Sequence, residues 1–154
     1  MNISDYRSEL YVNLYRVWLL VDTVALNKKG DKILELKKAA LLDYIMKNPR
    51  LYRKSQIFLG KLDAHADEKE VLYRTNIQFG ENQLIQQFLS SVIALEQMGY
   101  IELERKGIEF LLSTTEKKPS FQSDYSESWR TQAILIKGLV PKSINIINSN
   151  ILGE

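Results

Sequence analysis

Cysteine is absent from the 154 residues, which excludes disulfides and thiolate metal sites and makes a reducing cytoplasm the expected compartment. Histidine occurs once, at His65. With no thiol and a single imidazole, no nucleophile–base pair stands out. The seven glycines are scattered, and none falls in a Walker or dinucleotide-binding pattern, so no phosphate-cradling loop is expected. Three prolines and seven glycines are too few for a loop-rich or disordered chain. Long hydrophobic runs are missing too. The longest, "VWLLVDTVAL", is interrupted by Asp22 and preceded by Asn13 and Arg16, which reads as a buried helix rather than a membrane span. Asp5 and Glu9 near the start, without a basic flank, do not fit a signal peptide.

What is present is an ordinary globular composition, 45% hydrophobic and 26% charged, long enough for one domain with its own core. Residues 6–26 place Leu10, Leu14, Val17, Trp18 and Val21 at helical spacing. "NKKGD" breaks that helix. A second is expected over 34–47, burying Leu34, Leu41, Tyr44 and Ile45 and exposing Lys37, Lys38 and Lys47. "KNP" ends it, since a residue before proline avoids the helical region. Asn48 then caps a third helix that starts at Pro49 and runs to about Gly60. Residues 61–81 carry little pattern beyond a helical turn at "EKEVLYR". From 82 to 98, Leu84, Phe88, Val92 and Leu95 form one stripe, and Gly99 sits where a left-handed cap belongs.

"GYIELERKGIEFLLSTTEKK" follows at 99–118. Ile101 and Leu103 alternate with Glu102 and Glu104, and Ile108, Phe110 and Leu112 with Glu109 and Leu111. Period two around "ERKG" reads as a β-hairpin. Thr114 or Thr115 is positioned to cap a short helix, and Ser123 or Asp124 a longer one bearing Tyr125, Trp129, Ala133 and Ile136. After Pro141 the β-branched, Asn-rich tail reads as a docked strand or a loose end. The expected fold is mainly α. It has a winged helix–turn–helix-like core with one β-hairpin wing, extended by N- and C-terminal helices. Residues 1–140 form a single domain and 141–154 a C-terminal tail. The 82–98 helix takes the recognition position.

Charge tests whether such a core reads DNA. The 82–98 helix offers Gln83, Gln86, Gln87, Ser90, Ser91 and Gln97 but no Lys or Arg, and it carries Glu96. The wing adds Glu102, Glu104 and Glu109 against Arg105 and Lys106. Phosphate repels such a surface. The cations lie elsewhere: residues 28–61 hold ten Lys/Arg against Asp31, Glu35 and Asp43. Lys37, Lys38, Lys47, Arg50, Arg53 and Lys54 are candidate contacts to a DNA backbone, with a solvated helix face as the alternative. His65 with Asp63, Asp67 and Glu68 reads as a solvated acidic loop rather than a metal site. Tyr6, Tyr11, Tyr15, Trp18, Tyr125 and Trp129 serve as core residues or as interface anchors.

Several segments in succession carry a family pattern: "LYRVWLLVDTVA", "LELKKAALLDYIMKNPRLY", "FLSSVIALEQMGYIELERKGIEFLLSTTEK" and "SDYSESWRTQA". Together, across most of 6–137, they resemble the small middle component of bacterial ABC-three component systems, the group that includes the small accessory subunit of Lamassu anti-phage systems. "LLDYIMKNPRL" is the most telling piece, while the tail from Pro141 is not covered. The resemblance implies a non-catalytic cytoplasmic adaptor with no cofactor. Its partners would be an SMC-like ATPase and an effector nuclease, with double-stranded DNA held nearby and no membrane contact. Tyr11 and Tyr15 of the first helix, Arg105 and Lys106 of the wing, and Tyr125 and Trp129 of the last helix would meet those partners. The competing expectation is a winged-helix transcription regulator reading duplex DNA through Gln86 and Gln87.

Overall fold

The computed structural model describes residues 3–61, 81–120 and 126–153, with side chains described for 10–61, 86–120 and 126–153. Along the chain run α1 (Ile3–Val24), α2 (Leu36–Lys47), α3 (Pro49–Phe58) and α4 (Glu81–Gln97). The strands β1 (Ile101–Lys106) and β2 (Glu109–Thr114) follow, then α5 (Ser126–Ile136) and the single-turn α6 (Ile144–Ile147). A 3₁₀ turn, Lys137–Leu139, extends α5, and a π-helical turn, Asn148–Leu152, extends α6.

α1 does more than precede the core. Of its sequence stripe, Leu14, Val17, Trp18 and Val21 are buried but Leu10, nearer the start of the helix, is 45% exposed; from Leu14 onward Leu19, Leu20 and Val24 on its other sides are buried too. A helix buried all round lies at the centre of a domain. It packs against α2, α4, α5 and β2. α2 is covered in the same way by α1, α3, α4 and α5. This is why Ala39, Ala40, Leu42, Asp43 and Met46 are buried beside Ile45, while Leu41 and Tyr44 are only half-buried.

Residues 34 and 35, expected to open α2, are extended instead. Leu34 O accepts a hydrogen bond from Leu112 N at 2.9 Å, and Glu35 bridges Leu111 in antiparallel fashion. Pairing along β2 satisfies backbone groups that an earlier helix start would leave unpaired. β2 therefore lies between β1 and a short third segment. The resulting order is helix, bridging segment, helix, α4 and hairpin. It is a winged-helix arrangement with α4 in the recognition position and α3 inserted ahead of it.

The local punctuation follows the sequence closely at two points. Asn48 Oδ1 accepts from Arg50 N at 3.1 Å and Leu51 N at 3.4 Å, and Pro49 takes the first helical position of α3. Gly99, at φ +87, ends α4 with Tyr100 N donating to Leu95 O at 2.9 Å, the six-to-one bond of a Schellman cap. Two expectations differ. Residues 115–120 are not helical; Thr115 Oγ1 instead donates to Gly99 O at 2.5 Å, tying the end of β2 to the end of α4. The segment after Pro141 is helical, not a strand. Ile147 and Ile151, four residues apart, lie on one face and are fully buried, and the π turn packs on α3. That burial overrides the strand preference of a β-branched run.

Candidate interaction surfaces

The wing is paired from Ile101↔Thr114 through Lys106↔Glu109, leaving the two-residue turn Gly107–Ile108. Gly107 has φ +65 and Ile108 does not have a positive φ, the sign pattern of a type II′ turn. The inward alternation expected of Ile108, Phe110 and Leu112 holds only at the base. Leu112 is fully buried, whereas Phe110 is 41% and Ile108 95% exposed. The hairpin runs past the helices that cover its base, so its outer half has no core to face. Arg105, across from Phe110, donates from Nε to Gly107 O at 3.2 Å and so folds over the turn. Lys106 is exposed and lies across from Glu109.

The base of the wing is tied down by polar contacts that link distant segments. Thr114 Oγ1 donates to Asp22 Oδ1 of α1 at 2.9 Å. Lys117 Nζ donates to Met98 O at 2.7 Å and sits 4.6 Å from the Tyr100 ring centroid. Lys32 reaches from the loop after α1 to two wing carboxylates, Glu104 at 3.1 Å and Glu102 at 3.8 Å. The hydrogen bond to Glu104 raises the Lys32 ammonium above its ordinary 10.5. Partial desolvation opposes this, and the charges of Glu102 and Glu104 reinforce it.

α4 presents Gln86, Gln87, Ser90, Ile93, Glu96 and Gln97 outward, and Met98 follows. The described part of this face carries no cation. Gln83 lies among residues whose side chains are outside the described set. Three of the sequence-selected aromatics meet in space: the Tyr15 ring is 5.7 Å from Trp18 and 6.5 Å from Trp129, joining α1 to α5. Trp18 is buried, Tyr15 and Trp129 are half-buried, and Tyr11 is 55% exposed. Tyr125 lies outside the described residues, as do His65, Asp63, Asp67 and Glu68. Among the described residues no group of three or more His, Asp or Glu converges on a metal-sized site, and no helix is long and apolar enough to cross a membrane.

The six basic candidates separate into different environments. Lys38 is buried, and its Nζ donates to Val140 O at 2.8 Å. Lys47 pairs at 3.1 Å with Asp43, which also holds Arg16 at 3.2 Å. Lys54 donates to Gly153 O at 3.2 Å while its side chain stays half-exposed. Lys37 is exposed, and Arg50 and Arg53 are half-buried. Sequence reasoning missed two features here. One is the Asp43 bridge, for which Asp43 and Lys47 at i and i+4 were a partial signal. The other is the bare apolar wing tip, whose signal was a β-branched residue directly after a turn glycine.

Comparison of the chain with protein-family models, curated proteins and solved structures returned no match.

Proposed function

We propose that this protein is a non-catalytic adaptor subunit that couples an SMC-like ATPase to an effector nuclease in bacterial anti-phage or anti-plasmid defence. The reading starts from the sequence resemblance to the middle component of ABC-three component systems. The observation that carries it structurally is the wing tip. Ile108 is 95% exposed at the end of a rigidly anchored hairpin, with Phe110 beside it. An isolated exposed apolar side chain is unremarkable in itself. Here it is held away from the core on a two-residue turn, a position where a polar residue would cost the fold nothing. An apolar anchor with Arg105 and Lys106 at its rim suits a pocket on another protein. Tyr11, exposed on α1, provides a second contact.

The same surface suits DNA poorly, because the described face of α4 has no cation and the wing carries Glu102, Glu104 and Glu109. The test is co-expression of the chain with an SMC-like ATPase and an effector nuclease of such a defence system, followed by isolation of the assembly. The expected result is a stable complex that Ile108→Asp disrupts while leaving the isolated subunit's unfolding midpoint unchanged. A subunit that remains free and monodisperse in the presence of both would overturn the reading.

One observation favours a second reading, a transcription regulator: Gln86 and Gln87 are exposed on the helix in the recognition position, and glutamine pairs with adenine in the major groove. That reading requires sequence-preferring duplex binding that is lost in Gln86→Ala or Gln87→Ala. Equal binding to unrelated duplexes would remove it.

A further inference from the structure

The register of the hairpin fixes which backbone groups of the wing are used. Lys106 and Glu109 close the two-residue turn and bond to each other, and so does every second pair below them. Thr115 N accordingly donates to Tyr100 O at 3.1 Å. The pairs in between turn their N–H and C=O groups away from the neighbouring strand. On β2 one such group is taken, since Leu112 N donates to Leu34 O at 2.9 Å. On β1 the groups of Leu103 and Arg105 point to the opposite side, and among the described residues no backbone hydrogen bond reaches them. Glu102, Glu104, Arg105 and Lys106 are exposed along this edge, and Leu103 is half-buried. An open strand edge of this kind is a template for another strand. Its charges are segregated, with Glu102 and Glu104 before Arg105 and Lys106.

We infer that β1 pairs antiparallel with β1 of a second copy of this chain, about a two-fold axis. Charges on an open edge ordinarily guard it against pairing. Here they forbid only some arrangements, because like charges directly opposite each other repel and unlike charges attract. Parallel pairing in register sets every charge beside its own kind. Antiparallel pairing sets the acidic half against the basic end. The backbone then restricts the register, since each bonded pair must join residues whose groups both face outward. Leu103 opposite Leu103 places Glu102 against Glu104 twice. Arg105 opposite Arg105 puts two guanidiniums together at the axis and sets Leu103 against the turn glycine. Leu103 opposite Arg105 places Glu102 against Lys106 twice. The remaining like pair is Glu104 with its own copy, and each Glu104 already holds a Lys32 ammonium at 3.1 Å. On the other face of the sheet the aliphatic stem of Arg105 covers Leu103 of the second copy. Each copy contributes the same residues, as a two-fold interface requires. Assembly stops at two copies, because the pairing consumes the open edge of β1 in each. The inference uses the edge of the wing and not its tip, so it stands or falls separately from the adaptor reading.

The test is sedimentation equilibrium of the full chain. A six-residue edge lies at the small, weak end of interface size, so concentration is varied roughly a hundredfold, up to about 1 mM. The mass is expected to rise from one chain towards two. Lys106→Glu turns both pairs with Glu102 into repulsions and weakens association roughly tenfold or more. Glu102→Lys/Lys106→Glu restores it, since the same pairs form with their signs exchanged. Arg105→Pro removes an outward N–H that β2 does not use, a change an edge strand tolerates, and abolishes association. Lys37→Glu, an equal change of charge at an exposed position of α2, leaves association unchanged. Urea unfolding establishes that each variant is folded. Three results would overturn the inference: a single-chain mass at every concentration, association of Arg105→Pro equal to that of the parent chain, or no recovery in the double variant.

Discussion

Asp43 is the residue whose loss the structure makes most costly for its size. Its carboxylate is 2% exposed and receives Arg16 Nε from α1 at 3.2 Å on one oxygen and Lys47 Nζ at 3.1 Å on the other. The Arg16 side chain is itself only 12% exposed. In Asp43→Ala, Lys47 swings into water, but the guanidinium is left against the α1–α2 interface without its counter-charge. Removing one partner of a buried pair costs about 3–5 kcal/mol. Arg16 keeps a 2.7 Å hydrogen bond to Asn13 Oδ1 at the surface, which places the expected loss near the lower limit, about 3 kcal/mol. For a chain of this size that corresponds to a fall in Tm of roughly 6–12 °C. Urea unfolding followed by circular dichroism measures it, with the midpoint shifting and the slope m unchanged. Lys47→Ala serves as the comparison, because its side chain is 37% exposed and an exposed pair is worth under about 1 kcal/mol. If Asp43→Ala costs no more than Lys47→Ala, the bridge between α1 and α2 is not a structural element and the reasoning fails.

Lys38→Met keeps most of the buried stem but leaves Val140 O without its donor. The expected loss is about 1–3 kcal/mol in urea unfolding; an unchanged midpoint would mean that the ammonium does not sit on that carbonyl. Lys32 leads to a pH effect of defined sign. Its folded pKa lies above its unfolded value, so its contribution is complete below the unfolded pKa and fades as pH rises through the raised one. Stability measured between neutral and strongly alkaline pH should lose an alkaline component in Lys32→Met, and identical profiles for the two proteins would count against the clamp on Glu102 and Glu104.

The helices were legible because their signals are local. The Asn48–Pro49 start of α3 and the Gly99 end of α4 require only neighbouring backbone groups, and both form as their residues dictate. The hairpin was legible for the same reason, since alternation and a turn glycine are short-range. Burial was not. Lys38 looked solvent-facing on a helix assumed to have one buried side, yet α2 is covered from several sides and that lysine ends on Val140, far along the chain. Ile108 and Phe110 looked inward by their spacing, but spacing assigns a face and does not say whether anything covers it. Residues 34 and 35 looked helical until β2 offered a strand edge.

The basic candidates show the same division. Sequence alone established that the cations avoid the helix in the recognition position and the wing, because residue identity sets charge wherever the chain goes. It also determined the mainly helical character, the single hairpin and the ends of α3 and α4, all of which depend on contacts within a few residues. Only the tertiary structure decided which cations stay accessible. Lys38 moved inward, Lys47 was taken by Asp43, and Lys54 was drawn to Gly153 O by a segment whose docking rests on Ile147 and Ile151. Those outcomes depend on which surfaces meet across the chain, and a pattern confined to one segment holds no record of what the others bring to it.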